Sequence, residues 1–408
     1  MIYSIIAPTH ISGEIILPAS KSISNRALTI NMLSGNANTP VNLSDCDDTR
    51  VMLQWLNNRP STIDIGAAGT AMRFSTALLA VTSGTHVITG SERMKKRPIG
   101  ILVDALRELG AKIEYVENDG FPPLRIVGNP SLEGGTISLP GNVSSQYISA
   151  MLMIGPTLKE GLTLQLKGDI ISRPYINMTI AIMRSFGADV QCATDNTIVV
   201  KPGRYNQGDY IVENDWSAAS YWYEIVALAN NVDATISLPN LYKDSLQGDC
   251  KGAELFRKLG VETHYTSTGV TLRKTHVSVD RLEYDFVEMP DLAQTFVVTC
   301  CMLGIHFHFT GLQSLRIKET DRINALKVEM EKLGYVLEDR NDSELLWQGE
   351  LCKSSDNCAI DTYEDHRMAM AFAPASMKIG RININNPHVV TKSYPCYWED
   401  LKKIGFEL

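Results

Sequence analysis

The sequence lacks several features that would assign it to a class at once. Its longest apolar candidate, Phe296–Phe309, is shorter than the roughly 18 residues of a membrane span and contains histidines, so we expect no membrane segment. The first residues combine neither a basic segment nor a long apolar stretch, so we expect no secretory signal. Lys and Arg number 38 against 46 Asp and Glu, and the net charge of −8 disfavours nucleic acid as a partner.

Cysteine is present, but not in a pattern that binds metal or builds a disulfide framework. No C-x-x-C occurs, and no Cys/His pair has metal-ligand spacing. We therefore expect reduced thiols, a cytoplasmic location and no metal. The 408 residues are enough for two or more domains. The eight cysteines are Cys46, Cys192, Cys250, Cys300, Cys301, Cys352, Cys358 and Cys396.

Two markers repeat along the chain at a nearly constant distance. An apolar residue followed by glycine recurs at spacings of 77, 73, 74 and 71, and glycine there supplies the left-handed residue that ends a helix. Polar residues typical of helix starts recur at spacings of 74, 73, 74 and 74. The glycines are Gly110, Gly187, Gly260, Gly334 and Gly405, and the polar residues are Thr70, Ser144, Ser217, Asp291 and Asp365.

The markers indicate an α/β chain of six units, the first of them short. β-Branched runs between the markers predict that each unit reads helix, strand, helix, strand and a further strand. Six units favour two lobes of three, with a ligand site between them. We predict one lobe from residues 20–212 and a discontinuous one from 1–19 with 213–408.

Cations collect at these helix starts although the net charge is negative. Helix N-termini with small or hydroxyl residues favour phosphate or carboxylate, and arginine adds bidentate recognition. Singly, each position has a plainer interpretation as a helix cap or a solvated face, and Asp291 fits an N-cap about as well as a base. Recurrence at matching places in the repeat favours a binding site for small anions.

Cations occur in five segments, residues 20–26, 68–73, 93–98, 318–322 and 365–370. These segments closely resemble the 5-enolpyruvylshikimate-3-phosphate (EPSP) synthase family, and the likeness covers nearly the whole chain. The family implies two similar lobes of three βαβαββ repeats each, arranged as an inside-out α/β barrel. It implies shikimate 3-phosphate and phosphoenolpyruvate (PEP) as substrates, no cofactor, and a monomer.

The resemblance also implies roles for individual residues. Asp291 would accept the proton of the shikimate 5-hydroxyl, and Glu319, assisted by Lys318, would move a proton at the methylene carbon. Lys21 would contact both substrates, and which of these groups moves which proton stays open. Shikimate 3-phosphate would be bound by Ser22, Arg26, Ser144, Ser145, Gln146, Ser172, Tyr175 and Ser314, and PEP by Gly69, Arg97, Arg322, Arg367 and Lys392.

Three departures from the family pattern stand out. Ala67 replaces the usual Asn before Gly69, Phe74 replaces a Pro, and Ser314 replaces an Asn found in many members. Only 19 positions separate Asp48 from Ala67, where the family normally has two more strands. We therefore predict a truncated first repeat that keeps all the cationic positions.

Two other functions remain open from the residues alone. The sister enolpyruvyl transferase, which acts on UDP-N-acetylglucosamine, has the same architecture but a loop cysteine and a different lysine motif. A non-enzymatic scaffold that binds polyanions would need a broad basic face, whereas the cations here occupy helix starts. Both alternatives are less well supported than the shikimate enzyme.

Overall fold

Strands and helices alternate along the computed structural model, which describes residues 1–355 and 359–408. The chain divides into a continuous unit, Ala19–Glu213, and a discontinuous unit of Met1–Pro18 with Asn214–Leu408. Each unit buries a core of its own. In the described part of the chain, none of the helices is long and apolar enough to span a bilayer.

The elements follow in chain order. The N-terminal segment forms β1 (Ile2–Ile6) and β2 (Ser12–Glu14). The continuous unit forms α1 (Lys21–Ser34), α2 (Asp47–Asn58), β3 (Thr62–Asp64), α3 (Gly69–Ala80), β4 (Gly84–Thr89), α4 (Gly100–Glu108), β5 (Lys112–Tyr115), β6 (Leu124–Gly128), β7 (Gly135–Pro140), α5 (Ser145–Ile154), β8 (Leu162–Lys167), α6 (Arg173–Ser185), β9 (Val190–Thr194) and β10 (Thr197–Val200).

The remainder of the discontinuous unit begins with α7 (Trp216–Leu228) and β11 (Thr235–Pro239), and further elements follow them. These are α8 (Gly252–Lys258), β12 (Val261–Tyr265), β13 (Gly269–Lys274), β14 (Arg281–Asp285), α9 (Ala293–Leu303), β15 (His306–Thr310), α10 (Arg322–Lys332), β16 (Glu338–Arg340), β17 (Glu344–Trp347), β18 (Ala359–Ile360), α11 (His366–Phe372), α12 (Ser376–Ile379), β19 (Arg381–Asn385) and α13 (Tyr397–Lys403).

Four sheets in the described part of the chain share one strand order. In β3-β4-β6-β5 the first two strands are parallel and the others antiparallel, and β7-β8-β10-β9 repeats this pattern. The sheets β2-β11-β13-β12 and β14-β15-β17-β16 do the same in the discontinuous unit. A three-stranded sheet, β18-β19-β1, has the same directions without the last strand, because β18 is parallel and β1 antiparallel to β19. The predicted mixed α/β class is confirmed, and closure of the lobes into barrels stays a prediction.

The short first repeat has a direct structural counterpart. Residues 19–61, all of which the structure describes, form α1 and α2 and no strand, and Val41 makes an isolated bridge to Ile211. The interval from Asp48 to Ala67 holds most of α2, a turn and β3. A single short strand therefore fills the place where the family pattern has more.

The glycine markers are confirmed as left-handed residues after helices. Their φ angles are 93°, 84°, 87°, 95° and 98° in chain order, a region that side chains with a Cβ rarely adopt. Each lies two residues after the last residue of its helix, as a C-terminal cap does. Glycine after the helix end is the part of the sequence pattern that the local backbone conformation dictates most strongly.

The helix-start markers are right at two of five positions. Ser144 caps α5 by accepting the Gln146 N–H at 3.4 Å, and Asp365 caps α11 by accepting the Arg367 N–H at 2.9 Å. Ser217 lies inside α7, because Asp215 two residues earlier accepts its N–H at 2.9 Å and is the cap. The preceding aspartate therefore caps α7 in place of the predicted serine.

The other two markers are wrong as caps. α3 begins at Gly69, so Thr70 lies within its first turn, and its flanking residue is Ala68, which has no capping side chain. Asp291 lies in a 3-10 helix, Pro290–Leu292, ahead of α9. Its side chain is therefore available to groups other than the helix it precedes.

The core of the discontinuous unit contains a buried carboxyl group, Glu224 on α7. Burial raises its pKa well above the usual 4.5, and the Thr299 hydroxyl only partly opposes this. The folded state therefore keeps the proton while the unfolded chain releases it above its ordinary pKa. Stability from this group is present at acidic pH and is lost as pH rises towards the folded pKa.

Replacing Glu224 by Gln removes this pH dependence. We expect the free energy of unfolding of E224Q, relative to the native chain, to rise by about 1.4 kcal/mol per pH unit above pH ~4.5. Urea unfolding followed at several pH values measures it. The control is E254Q, since Glu254 is exposed on α8. A difference between E224Q and the native chain that does not change with pH would contradict the assignment.

Candidate active site

Asp291 is surrounded by cations in the discontinuous unit. Its Oδ1 lies 3.0 Å from Arg322 and 3.5 Å from Lys318 Nζ, and its Oδ2 lies 3.1 Å from Arg367. Pro290 starts the 3-10 helix that presents the carboxylate, and proline suits such a first position because it lacks an N–H. Three cations from two segments, residues 318–322 and 365–370, therefore converge on one carboxylate.

These cations keep Asp291 ionised. Burial alone would raise the pKa of the carboxyl group, but Arg367, Lys318 and Arg322 together hold it well below its ordinary value against the opposing charge of Glu319. A carboxylate in this state is an acceptor at neutral pH. It can take a proton from a hydroxyl only if that hydroxyl is brought within hydrogen-bond reach.

Arg322 is the most heavily paired residue of this cluster. It is 1% exposed at the start of α10, and its Nε lies 2.6 Å from Asp365 Oδ2. A second nitrogen contacts Asp365 Oδ1 at 3.3 Å and Glu319 at 3.0 Å, while the third reaches Asp291. Burial would lower the pKa of the Arg322 guanidinium, but the three carboxylates outweigh burial and raise this pKa above its ordinary value. The fork of the guanidinium thus fixes three acidic side chains.

Asp365 links Arg322 to Arg367. It is fully buried, and it pairs with Arg322 while its Oδ1 also accepts the Arg367 N–H. Arg367 itself is 6% exposed and reaches the Tyr221 hydroxyl at 3.4 Å. The sequence indicated Asp365 as a helix start but not as part of the site. Its capping position was the available signal.

Lys392 and Glu319 complete the connected network. Lys392 Nζ lies 3.0 Å from Glu319 Oε1, and both side chains are mostly buried. Lys318 is more accessible, with 30% of its side chain exposed. Ser314 precedes these residues on the 3-10 helix Gln313–Ile317 and is half-buried. The structure therefore joins every site residue predicted in this unit except Ser314, for which no contact to the network is seen.

A further carboxyl group lies near Asp291 and was not predicted. Asp249 is 4% exposed in the 3-10 helix Gly248–Lys251, and it accepts a hydrogen bond from the Ser217 hydroxyl. Burial, and the neighbouring charge of Asp291, raise its pKa to about 7. It lies in a segment without a charge cluster, so the sequence carried no sign of it.

Arg26 is the centre of the candidate site on the continuous unit. Its side chain, 2% exposed on α1, donates to the Ser22 carbonyl at 2.8 Å, to Thr179 Oγ1 at 2.7 Å and to Ser149 Oγ at 3.1 Å. It also lies over the Tyr175 ring, 5.8 Å from the centroid. Burial lowers its pKa to about 10. The acceptors that it contacts are neutral, so this guanidinium retains its attraction for an anion.

The residues around Arg26 occupy neighbouring helix starts. Lys21 is the first residue of α1, half-buried, and close enough to the Cys46 thiol to influence its pKa, which burial raises. Ser172 precedes α6 with a left-handed φ of 55°, and its carbonyl accepts the Tyr175 N–H at 3.1 Å. Tyr175 therefore connects the start of α6 to Arg26.

The start of α3 is crowded by guanidinium groups. A Cβ built on Gly69 would lie 2.6 Å from a terminal nitrogen of Arg97 and 3.1 Å from one of Arg73. Arg73 is buried, and it donates to the Gly69 carbonyl at 3.1 Å and the Pro98 carbonyl at 3.2 Å. The absence of a side chain at Gly69 is what lets Arg97 lie against the helix N-terminus.

The start of α5 is tied to the start of α3. Gln146 Nε2 donates to Thr70 Oγ1 at 3.1 Å, and Ser145 is 8% exposed beside it. Ser144 caps the helix, so its hydroxyl and the first N–H groups of α5 lie together. The predicted residues of the continuous unit thus form three linked groups at the starts of α1 with α6, of α3, and of α5.

Comparison with known proteins decides the family. Residues 56–401 match the family described as EPSP synthase (3-phosphoshikimate 1-carboxyvinyltransferase). The chain belongs to the EPSP synthase family. A 3-phosphoshikimate 1-carboxyvinyltransferase of Bacteroides fragilis (strain ATCC 25285) is 60% identical over 406 residues, covering 100% of this chain and 98% of the relative. One of Sulfurovum sp. (strain NBC37-1) is 36% identical over 424 residues, 97% of each chain.

Solved structures of the family share the fold. The 2.37 Å structure of EPSP synthase from Acinetobacter baumannii aligns with a TM-score of 0.76 at 22% identity, over 100% of this chain and 99% of that one. The resemblance seen in the sequence is confirmed. Among residues 1–355 and 359–408, no group of three or more His, Cys, Asp and Glu side chains is placed to hold a metal ion. The seven cysteines within those ranges form no disulfide, and Cys358 lies outside the described residues.

Proposed function

We propose that this member of the EPSP synthase family transfers the enolpyruvyl group of PEP to the 5-hydroxyl of shikimate 3-phosphate and releases phosphate. The observation that carries the proposal is the cluster on the discontinuous unit, where Asp291 and Glu319 lie among cations. One carboxylate to accept a hydroxyl proton and a second group for proton movement at carbon are what the transfer requires.

The charge of this cluster suits an anionic substrate. Four cations, Lys318, Arg322, Arg367 and Lys392, face three carboxylates, those of Asp291, Glu319 and Asp365, which leaves one positive charge (4 − 3). We infer that Arg322, Arg367 and Lys392 bind PEP, whose carboxylate and phosphate match guanidinium forks. Arg322 acts mainly by fixing its neighbours, because its own nitrogens are already occupied.

The continuous unit supplies groups for the other substrate. Arg26, with its neutral acceptors and deep burial, is assigned to shikimate 3-phosphate together with Lys21, Ser22 and Tyr175. The hydroxyl and amide groups at the starts of α5 and α6 suit phosphate oxygens and ring hydroxyls. These are Ser144, Ser145, Gln146 and Ser172, with Ser314 assigned from the other unit, and Gly69 and Arg97 are assigned to PEP.

The proposed reaction is an addition followed by an elimination. Asp291 accepts the proton of the 5-hydroxyl as that oxygen forms a bond to C2 of PEP, while C3 gains a proton and becomes a methyl group. Loss of a proton from C3 and cleavage of the C2–O bond to phosphate then restore the double bond. Glu319, assisted by Lys318, is assigned the proton movement at C3, and the cations stabilise the leaving phosphate.

The Gly69→Ala variant tests the assignment of α3 to PEP. The new methyl group would displace the Arg97 guanidinium, because 2.6 Å is closer than any real contact of a Cβ. We expect KM for PEP to rise about tenfold, the loss of one charge-assisted hydrogen bond, with KM for shikimate 3-phosphate little changed. Steady-state kinetics with each substrate varied in turn measures it.

The matched control for this variant is Gly100→Ala in the same unit. Gly100 also begins a helix, α4, but its Cβ would meet nothing nearer than 3.5 Å. Its kinetic constants should stay close to those of the native chain. Equal KM values for PEP in G69A and the native chain would remove Gly69 and Arg97 from the PEP site.

Three further properties are proposed with the function. We propose that the enzyme is a cytoplasmic monomer that does not bind nucleic acid. The support for a reducing compartment is the pair Cys300 and Cys301, both buried among apolar side chains of α9 as small hydrophobic residues. The support against nucleic acid is the net charge of −8.

The substrate assignment is tested by giving the purified chain PEP with either shikimate 3-phosphate or UDP-N-acetylglucosamine. We expect phosphate release with the first acceptor and none above background with the second. Relatives named 3-phosphoshikimate 1-carboxyvinyltransferase at 60% and 36% identity favour this outcome. Phosphate release with the UDP sugar alone would assign the sister reaction to this chain instead.

A further inference from the structure

Two consecutive residues immediately before Asp365 adopt an unusual backbone conformation. Tyr363 and Glu364 have φ angles of 52° and 56°, in the left-handed region that residues with a Cβ seldom occupy. Such a conformation persists only where surrounding contacts over-determine it. The turn leads directly into the capping residue that holds Arg322 and Arg367.

The contact that holds this turn comes from α10. The Tyr363 hydroxyl donates to Glu329 Oε1 at 2.6 Å, and Glu329 is fully buried. The other Glu329 oxygen accepts the Asp361 N–H at 3.1 Å and lies 2.7 Å from Lys332 Nζ. Both oxygens of this buried carboxylate therefore contact the segment that precedes Asp365.

The same helix carries Arg322, seven residues before Glu329. Seven residues correspond to about two turns, or about 10 Å along the helix. The turn and α10 are thus joined at two points, one through Tyr363 with Glu329 and one through Asp365 with Arg322. Two separated attachments fix both the position and the direction of the Asp365 side chain, whereas one would allow it to pivot.

We propose that Tyr363 is a positioning residue that sets the affinity for PEP by orienting Asp365, and through it Arg322 and Arg367. It touches neither substrate in this scheme. The inference rests on the proposed function, because it assumes that these two arginines bind PEP. It adds a residue that lies outside the cationic cluster.

The test is Tyr363→Phe, which removes one hydroxyl and keeps the ring. We expect KM for PEP to rise about 5- to 10-fold, with kcat and KM for shikimate 3-phosphate changed less than about twofold. The control is Tyr223→Phe, which likewise removes a partly buried phenol contact, 2.8 Å to Thr263 Oγ1, on α7 of the same unit. Y223F should keep the native KM for PEP even if its melting temperature falls as far as that of Y363F.

A double-mutant cycle with Glu329→Gln separates the contact from general destabilisation. If Tyr363 acts through Glu329, the double variant should raise KM for PEP no more than the larger single effect. A double variant whose rise in KM for PEP is the product of the two single effects would overturn the proposal. So would equal rises in KM for both substrates in Y363F, or a KM for PEP in Y363F equal to that of Y223F. If the native chain releases no phosphate from the two substrates, the proposed function fails instead, and the two failures are thereby distinguished.

Discussion

Asp291→Asn should lower kcat about 10²- to 10⁴-fold without raising KM for PEP, as measured by steady-state phosphate release. The amide has almost the same size as the carboxylate but cannot accept the proton of the 5-hydroxyl. Arg322, Arg367 and Lys318 lose an anionic neighbour, so their attraction for PEP does not decrease. A fall in kcat alone is therefore the signature of a base and not of a binding residue.

The control for this variant is Asp285→Asn. Asp285 is exposed and accepts the Val287 N–H at 3.0 Å, a contact that the amide oxygen can keep. D285N should retain native kinetics. Turnover by D291N within about tenfold of the native rate would show that another group accepts the hydroxyl proton.

Arg322→Met should produce the largest loss of stability. The variant leaves the fully buried Asp365 without the guanidinium that pairs with it, whereas Glu319 keeps its contact with Lys392. Removing one member of a buried ion pair costs about 3–5 kcal/mol, because a buried charge is left uncompensated. We expect a decrease of that size in the free energy of unfolding, together with loss of turnover.

Two comparisons make this prediction specific. Arg340→Met removes an arginine from an exposed pair with Glu338, for which the expected change is about 1 kcal/mol or less. Adding Asp365→Asn to R322M should restore part of the lost stability, because the uncompensated charge is removed with its partner. A decrease below about 1 kcal/mol for R322M, measured by urea unfolding, would show that the network does not stabilise the fold.

The sequence predicted elements best where the backbone itself sets the pattern. The glycines that end helices are all left-handed as expected, since few other residues adopt that conformation at low cost. The polar helix starts were less predictable. Several side chains within one turn can cap the same helix, and Asp215 displaces Ser217 by accepting its N–H.

The site was predictable as a set of residue types but not as a set of contacts. Recurring cations at helix starts and two acids among them pointed to the cluster around Asp291. The partners Asp365 and Asp249 were not recognised, because they come from segments separated along the chain and are brought there by packing. No local pattern states that Arg322 pairs with Asp365, 43 residues later.

The most direct test of the reaction is to run it in deuterium oxide and determine the product by mass spectrometry and NMR. We expect a shikimate 3-phosphate derivative that carries the three-carbon enolpyruvyl group on its 5-oxygen, with deuterium in the vinyl methylene. Deuterium enters because C3 passes through a methyl group between addition and elimination. No product, or a product whose methylene contains no deuterium, would contradict it.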